Sequence, residues 1–228
     1  MYTSENRLKE KLRKSKALLF DMDGIVTDTM PWHCSSWIKA FADFFKINVP
    51  ESEIYEREGE KSEKSVTDIL TKHAIKCNDK KIDDFLKYKS DIFKASKTLP
   101  LFKDMDKLLL YLKQYRILAL VTGTPMHELE NRFPENIFNL FDTVVTSTDI
   151  SNGKPHPEPY LTALTDLNIV ASDALVVENA PYGIQSANSA HIEVLAIPTS
   201  LPIEKLKDAT YACPNHKYFY NIIYSEVK

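Results

Sequence analysis

The sequence predicts an α/β fold, a parallel sheet interrupted by an all-helical insertion. Two observations carry this. Short apolar runs recur along the chain: Ala17-Leu18-Leu19-Phe20, Ile117-Leu118-Ala119-Leu120-Val121, Thr143-Val144-Val145-Thr146, Ala174-Leu175-Val176-Val177 and Val194-Leu195-Ala196-Ile197. Runs of that length suit strands buried on both faces. Between them lie patterns at helical spacing: Leu108, Leu109, Leu112 and Tyr115 after Asp104; Tyr160, Leu161, Leu164 and Leu167 after Pro157 and Pro159; and Ile184, Ala187 and Ala190. Strands alternating with helices imply parallel pairing through crossovers.

From about His33 to Lys97 the rhythm breaks. Trp37, Phe41, Phe44 and Phe45, then Val66, Ile69 and Leu70, then Phe85, Leu86, Tyr88, Ile92 and Phe93 read as helix with no strand between them. The expected division is a core over 1–32 and 98–228 with a helical insertion over 33–97. Met1 to Lys16, dense in Lys, Arg and Glu, reads as an extra surface helix or a frayed arm.

Composition narrows the function classes. The chain has 228 residues, 43% hydrophobic and 27% charged, which is the range of a folded globular protein able to bury a sizeable core. A net charge of −3 gives no basic excess for nucleic acid. No run approaches the roughly 20 apolar residues of a membrane span, and Met1–Lys16 lacks the apolar centre of a secretory signal. Cys34, Cys77 and Cys213 are odd in number and widely spaced, which argues against a disulfide framework or a structural zinc site. A cytoplasmic protein without nucleic-acid or membrane partners is the expectation.

In an open parallel sheet, ligands bind beyond the carboxyl ends of the strands. There lie Asp21-Met22-Asp23-Gly24, Thr122-Gly123-Thr124, Gly153-Lys154-Pro155 and Glu178-Asn179. Together they suit phosphoryl transfer. Asp21, at the strand end, is the candidate nucleophile, and Asp23 the acid that protonates a leaving oxygen and then takes a proton from water. Thr122 can donate to a phosphate oxygen, and Lys154 offsets the anions. A carboxylate meets a phosphate only if a divalent ion offsets their repulsion, and the oxygen groups of Asp21, Asp23, Glu178 and Asn179 suit Mg²⁺. Gly24, Gly123 and Thr124 are the substrate-facing turn positions beside them. Taken singly, a D-x-D is commonly a surface turn, a G-K-P a turn with a solvated lysine, and a strand-end threonine a helix cap. Their joint occurrence, each at a strand end, is what points to a site.

These segments carry a resemblance. Phe20–Thr29, Val121–Thr124, Gly153–Tyr160 and Val177–Ile184 resemble motifs I to IV of the haloacid dehalogenase superfamily, in its helical-cap subfamily, and the β-phosphoglucomutase-like branch is the most similar. The resemblance implies a Rossmann-like core of strand order 5-4-1-2-3 under a mobile helical cap. It also implies Mg²⁺ held by Asp21, the backbone carbonyl of Asp23 and Asn179, with Glu178 as a further ligand or a group behind the ligands. A monomer acting on a small phosphorylated substrate is the expected state.

Motif IV in this branch usually ends Glu-Asp, whereas this chain has Glu178-Asn179. An uncharged amide leaves room for a compensating carboxylate, and Glu58, in Arg57-Glu58-Gly59-Glu60-Lys61 of the cap loop, is the candidate. Its rival reading is a solvated helix-end acid. Sugar-phosphate mutases of the branch carry basic residues there, so Glu58 favours a hydrolase, with Lys61 and Lys64 as remaining cations. The form Glu-Asn-Ala-Pro, with Met30-Pro31-x-His33 and Glu58-Gly59, resembles members linked to hydrolysis of small phosphates, inorganic pyrophosphate included. A compact substrate is expected if Glu58 closes on the ion. His33 either orients Asp23 or touches substrate, or is a packed hinge residue. Trp32 and Trp37 are expected in the cap core, and Cys34 as a small buried residue. A Mg²⁺-dependent phosphohydrolase is the leading expectation; the alternatives are a β-phosphoglucomutase-type mutase and a non-catalytic phosphate-binding protein.

Overall fold

The computed structural model describes residues 2–95, 98–130 and 132–228, with side chains from residue 5 onward. In chain order the elements are α1 (Tyr2–Lys14), β1 (Ala17–Phe20), α2 (Met30–Phe45), α3 (Glu51–Glu56), α4 (Ser62–Lys72), α5 (Asp79–Lys94), α6 (Met105–Leu112), β2 (Ile117–Val121), α7 (Met126–Leu129), α8 (Glu135–Phe138), β3 (Thr143–Val145), α9 (Glu158–Leu167), β4 (Ala174–Glu178), α10 (Pro181–Ser189), β5 (Glu193–Ala196), β6 (Tyr211–Ala212) and α11 (His216–Glu226).

The strands form one parallel sheet in the order β3-β2-β1-β4-β5-β6. The expected order is present, extended by β6 at the edge, too short to stand out as an apolar run. Alternation splits β1 between two layers. Leu18 and Phe20 pack with Leu108, Leu109 and Leu112 of α6, Phe219 and Ile223 of α11, and Leu8 and Leu12 of α1. Ala17 and Leu19 face Tyr160 and Ala163 of α9 and Ile184 and Ala187 of α10. Both faces are covered, which is why the strands read as continuous apolar runs.

Of two sequence expectations, the structure decides one between its alternatives and amends the other. Leu8 and Leu12 bury α1 against the core, and Lys11 pairs with Glu193 at 2.8 Å, so this segment is an integral helix rather than an arm. Leu161 is 45% exposed and lies outside the apolar stripe of α9.

Helices α2 to α5 hold a separate apolar cluster centred on Phe85, whose ring lies 4.7 Å from Phe41 and 5.2 Å from Phe45. Trp37 joins it at 5.8 Å from Phe85, whereas Trp32 is 37% exposed. Cys34 is buried. The ends of these helices follow local chemistry. Pro31 stands in the first turn of α2, Lys46 ends that helix in the left-handed region, and the Asn78 side chain accepts from the Lys81 N–H at 3.0 Å to cap α5. Helix α2 starts at Met30, ahead of the expected boundary at His33; the expected end at Lys97 lies outside the described residues.

Candidate active site

The loop after β1 turns back on itself: Val26 and Thr27 both donate to the Met22 carbonyl at 2.9 Å. Met22 points down into the core, and Asp21 and Asp23 line the cavity between sheet and helical insertion. Gly24 completes the turn at φ +90°, and a Cβ there would fall 2.3 Å from Asn179 Nδ2, so glycine lets the ends of β1 and β4 meet.

Lys154 binds the two halves of the site. Its Nζ donates to Asp21 Oδ1 at 2.5 Å, to Glu178 Oε1 at 2.7 Å and to the Val121 carbonyl at 3.2 Å. Burial works against the ammonium, but the Asp21 and Glu178 carboxylates outweigh it and hold Lys154 above the ordinary lysine range. Burial pushes Asp21 up to about 8; Lys154 opposes this, and Glu178 and Asp23 add to it.

Glu178 is held by four donors. Besides Lys154 it accepts from Tyr160 Oη at 3.0 Å and from the N–H groups of Asn179 and Ala180 at 2.8 and 3.0 Å. Both its oxygens are bonded, so of the two parts expected for Glu178 the arrangement suits the group behind the ligands.

Asp23 is held differently. Its Oδ1 accepts from Thr29 Oγ1 and lies 3.2 Å from His33 Nε2; its Oδ2 accepts from Thr124 Oγ1 at 2.9 Å and Thr122 Oγ1 at 3.5 Å. Burial raises its proton affinity, but His33 and these hydroxyls outweigh that and hold it at about 2. His33 stacks on Phe93 and its Nδ1 lies 3.3 Å from Lys89 Nζ. Thr122 Oγ1 also accepts from the Thr124 N–H at 3.0 Å.

The cap loop sits on this floor. Glu60 forms a backbone bridge with Lys154, and Gly59, at φ +80°, passes so close that a Cβ would meet Lys154 Cδ at 2.6 Å. Gly123 packs against the Gly59 backbone, where a Cβ would lie 3.1 Å from its carbonyl oxygen. Asn179 Nδ2 donates to Glu58 Oε2 at 2.8 Å. Lys61 Nζ donates to the Ile150 carbonyl at 3.0 Å, and Arg57 pairs with Glu60 at 2.9 Å and Asp68 at 3.2 Å. Lys64 is tied to Glu60 and Asp68 on the outside of the loop.

Asp21 Oδ2, Asn179 Oδ1 and Glu58 Oε1 are buried here without a hydrogen-bond partner among the described residues. Burial, then the Asp21 carboxylate, pushes Glu58 well above the ordinary range. Buried unpaired oxygens are costly unless a ligand satisfies them. The set is mixed, two acids and one amide; among the described residues no three His, Cys, Asp or Glu side chains form a metal-ligand group by themselves. Hard oxygen donors few in number, beside a place for phosphate, match the habit of Mg²⁺.

The sequence reading missed Lys89, Ser90, Glu128 and the hydroxyl of Tyr160 as groups at this site. Lys89 did leave a signal, since it stands midway between Phe85 and Phe93 on the apolar stripe of α5. The cavity lined by Lys89, Ser90 and Glu128 has a volume of about 610 Å³.

Comparison with known proteins agrees with this layout. A family model described as haloacid dehalogenase-like hydrolase matches residues 18–197. The phosphorylated carbohydrates phosphatase of Thermotoga maritima is 32% identical over 187 residues, covering 78% of this chain and 82% of its own. The validoxylamine A 7'-phosphate phosphatase of Streptomyces hygroscopicus subsp. limoneus is 29% identical over 201 residues, covering 85% and 91%. A hydrolase from Pseudomonas syringae shares the fold with a TM-score of 0.82 at 17% identity, over 94% of this chain and 100% of its own. A parallel sheet with paired aspartates at the end of its central strand, and relatives that are phosphatases along most of their length, place this chain in the family of haloacid dehalogenase-like hydrolases as a phosphohydrolase.

Proposed function

We propose that the chain is a Mg²⁺-dependent phosphatase of a small phosphorylated organic metabolite, working through an aspartyl-phosphate on Asp21. The observation that carries this is the convergence of Asp21 Oδ2, Asn179 Oδ1 and Glu58 Oε1, buried and unpartnered, beside Lys154. Those three oxygens, with the backbone carbonyl of Asp23, would hold the ion, which when bound supplies positive charge against the phosphate. The helical segment acts as the cap.

The Asp21 carboxylate forms a bond to phosphorus as the bond from phosphorus to the leaving oxygen breaks. Lys154, bonded to Asp21 Oδ1, fixes that carboxylate and balances the charge carried by nucleophile and phosphoryl group. Asp23 hands its proton to the leaving oxygen; an arriving phosphate dianion raises its proton affinity from the low value set by His33 and the hydroxyls. Asp23 then accepts a proton from water, whose oxygen attacks phosphorus and displaces Asp21, releasing inorganic phosphate. Gly123 and Thr124 form the turn under the phosphate, Thr122 donates to it, and Lys61 and Glu58 close the cap side and exclude water.

Inorganic pyrophosphate is a second reading, favoured by the place of Glu58 and by a leaving group whose second pKa of about 6 makes little demand on Asp23. A mutase is disfavoured because Arg57 and Lys61, the cations flanking Glu58, are already bonded to Glu60, Asp68 and Ile150. The test is phosphate release with Mg²⁺ from a panel of phosphate esters and pyrophosphate. Release is expected from wild type and a loss of about four orders of magnitude in Asp21→Asn. No release from any compound, an active Asp21→Asn, or isomerisation of β-glucose 1-phosphate with negligible phosphate release would each overturn the proposal.

A further inference from the structure

One face of α11, which lies beyond the last of the four motif segments, bears on the loop that carries both aspartates. Phe219 meets Phe20, the residue before Asp21, edge to face with ring centres 6.4 Å apart. One turn back, His216 Nε2 lies 2.9 Å from the Ile25 carbonyl, just after Asp23. A carbonyl only accepts, so Nε2 carries the hydrogen and donates it. The same imidazole stacks on Phe102 at 3.9 Å and meets Tyr220 edge to face at 6.0 Å.

Ile25 and Phe102 stand on the two linkers that join core and cap. These linkers are zipped together. The Asp28 N–H donates to the Pro100 carbonyl at 2.8 Å, the Phe102 N–H to the Val26 carbonyl at 3.1 Å, and Thr27 and Leu101 form an antiparallel bridge. Any movement of the cap turns about this pair. His216 is bonded to one linker and stacked on the other, while Phe219 and Ile223 fix α11 in the core.

We propose that His216 is a positioning residue for the hydrolysis: it holds the pivot of both linkers against the core, so that the cap closes in register with Asp21 and Asp23. The inference rests on the phosphohydrolase reading and adds to it a residue that does not line the cavity. Without the donor, the Ile25 carbonyl loses its partner and the loop between Asp23 and α2 gains freedom. The cavity wall is unaltered, so the loss falls on turnover rather than on KM.

The test uses the full chain with Mg²⁺, p-nitrophenyl phosphate as the probe, and three variants. His216→Phe keeps the stack on Phe102 and loses the donor. His216→Gln puts an amide N–H within reach of Ile25, and His216→Asn carries the same amide one methylene short. His216→Phe and His216→Asn should lose about tenfold in kcat with KM within about threefold of wild type, and His216→Gln should keep most of the turnover. Amide hydrogen exchange gives a second readout that needs no activity. In the Phe and Asn variants it should quicken at Val26, Asp28 and Phe102 and stay at the wild-type level in α9, with Gln restoring the linkers. If His216→Phe does not fold, Gln against Asn decides. Equal turnover in Gln and Asn, unchanged exchange at the linkers, or exchange quickened evenly across the core would each overturn the anchor and leave the phosphohydrolase intact. Failure of the wild type to release phosphate from p-nitrophenyl phosphate, the ester panel or pyrophosphate would instead remove the hydrolase reading, and with it the part of His216 in turnover.

Discussion

The side-chain amide of Asn179, at the end of β4, donates to the Glu58 carboxylate of the cap loop across 2.8 Å. This bond joins two segments far apart in sequence at the place where Asp21 presents its free oxygen. It also accounts for an amide at a position where the family usually has an acid: with Glu58 adjacent, a second carboxylate would add charge that only a cation could offset.

Asn179→Asp therefore has two opposite consequences. With the ion bound, an added charged oxygen should tighten Mg²⁺ by about tenfold. In chelator the lost donor and the new repulsion with Glu58 should lower the melting temperature. Calorimetric titration and melting with and without Mg²⁺ read both effects. Unchanged affinity would place Asn179 outside the ion's ligands.

Lys154→Met should destabilise the protein by about 3 kcal/mol or more, since it leaves Asp21 and Glu178 buried without their cation. Denaturant unfolding measures this. A cost within a few tenths of a kcal/mol would mean that the two acids do not depend on Lys154.

Gly183→Ala probes Glu178 without altering the cavity. Elsewhere in a helix this change would gain up to about 1 kcal/mol. Here the new Cβ would lie 1.6 Å from Glu178 Oε1, forcing that carboxylate off Lys154. Turnover should fall by about 10²-fold with the Mg²⁺ requirement retained. Full activity would show that the Glu178–Lys154 contact is dispensable.

The raised proton affinities of Asp21 and Glu58 fix the sign of a pH effect. A carboxyl whose folded pKa exceeds its unfolded value near 4 stabilises the fold below that value, and the contribution is lost as pH rises through the folded pKa, about 8 for Asp21. In chelator the contribution of these two groups should lower the melting temperature from about pH 5 to about pH 8. Asp23, held at about 2, acts in the opposite sense but only below about pH 4. Added Mg²⁺ binds the deprotonated acids, so its stabilisation should grow over the same range. A Mg²⁺ effect that shrinks as pH rises would contradict the assignment of Asp21 and Glu58 to the ion.

The strand-end residues were legible because strand burial is local. An apolar run marks a strand, its end marks the ligand side of the sheet, and Asp21, Asp23, Thr122, Lys154, Glu178 and Asn179 all lie where that rule puts them. Glu178 shows the limit. Its position was legible but its direction was not, since both oxygens are turned by Tyr160, Lys154 and two backbone N–H groups. β6 escaped notice because its short pairing with β5 depends on the sheet already being there.

The amino-acid order alone determined the alternation of strand and helix, the helical insertion after β1, and the set of acids, hydroxyls and lysine at the strand ends. These follow from periodicity, burial and turn chemistry within a few residues. Tertiary structure decided that Glu58 faces Asn179, that Glu178 serves Lys154, and that Ser90 and Glu128 share a cavity with Asp21. Each of those relations joins side chains on separate elements, and their directions are set by packing and charge pairing when cap meets core.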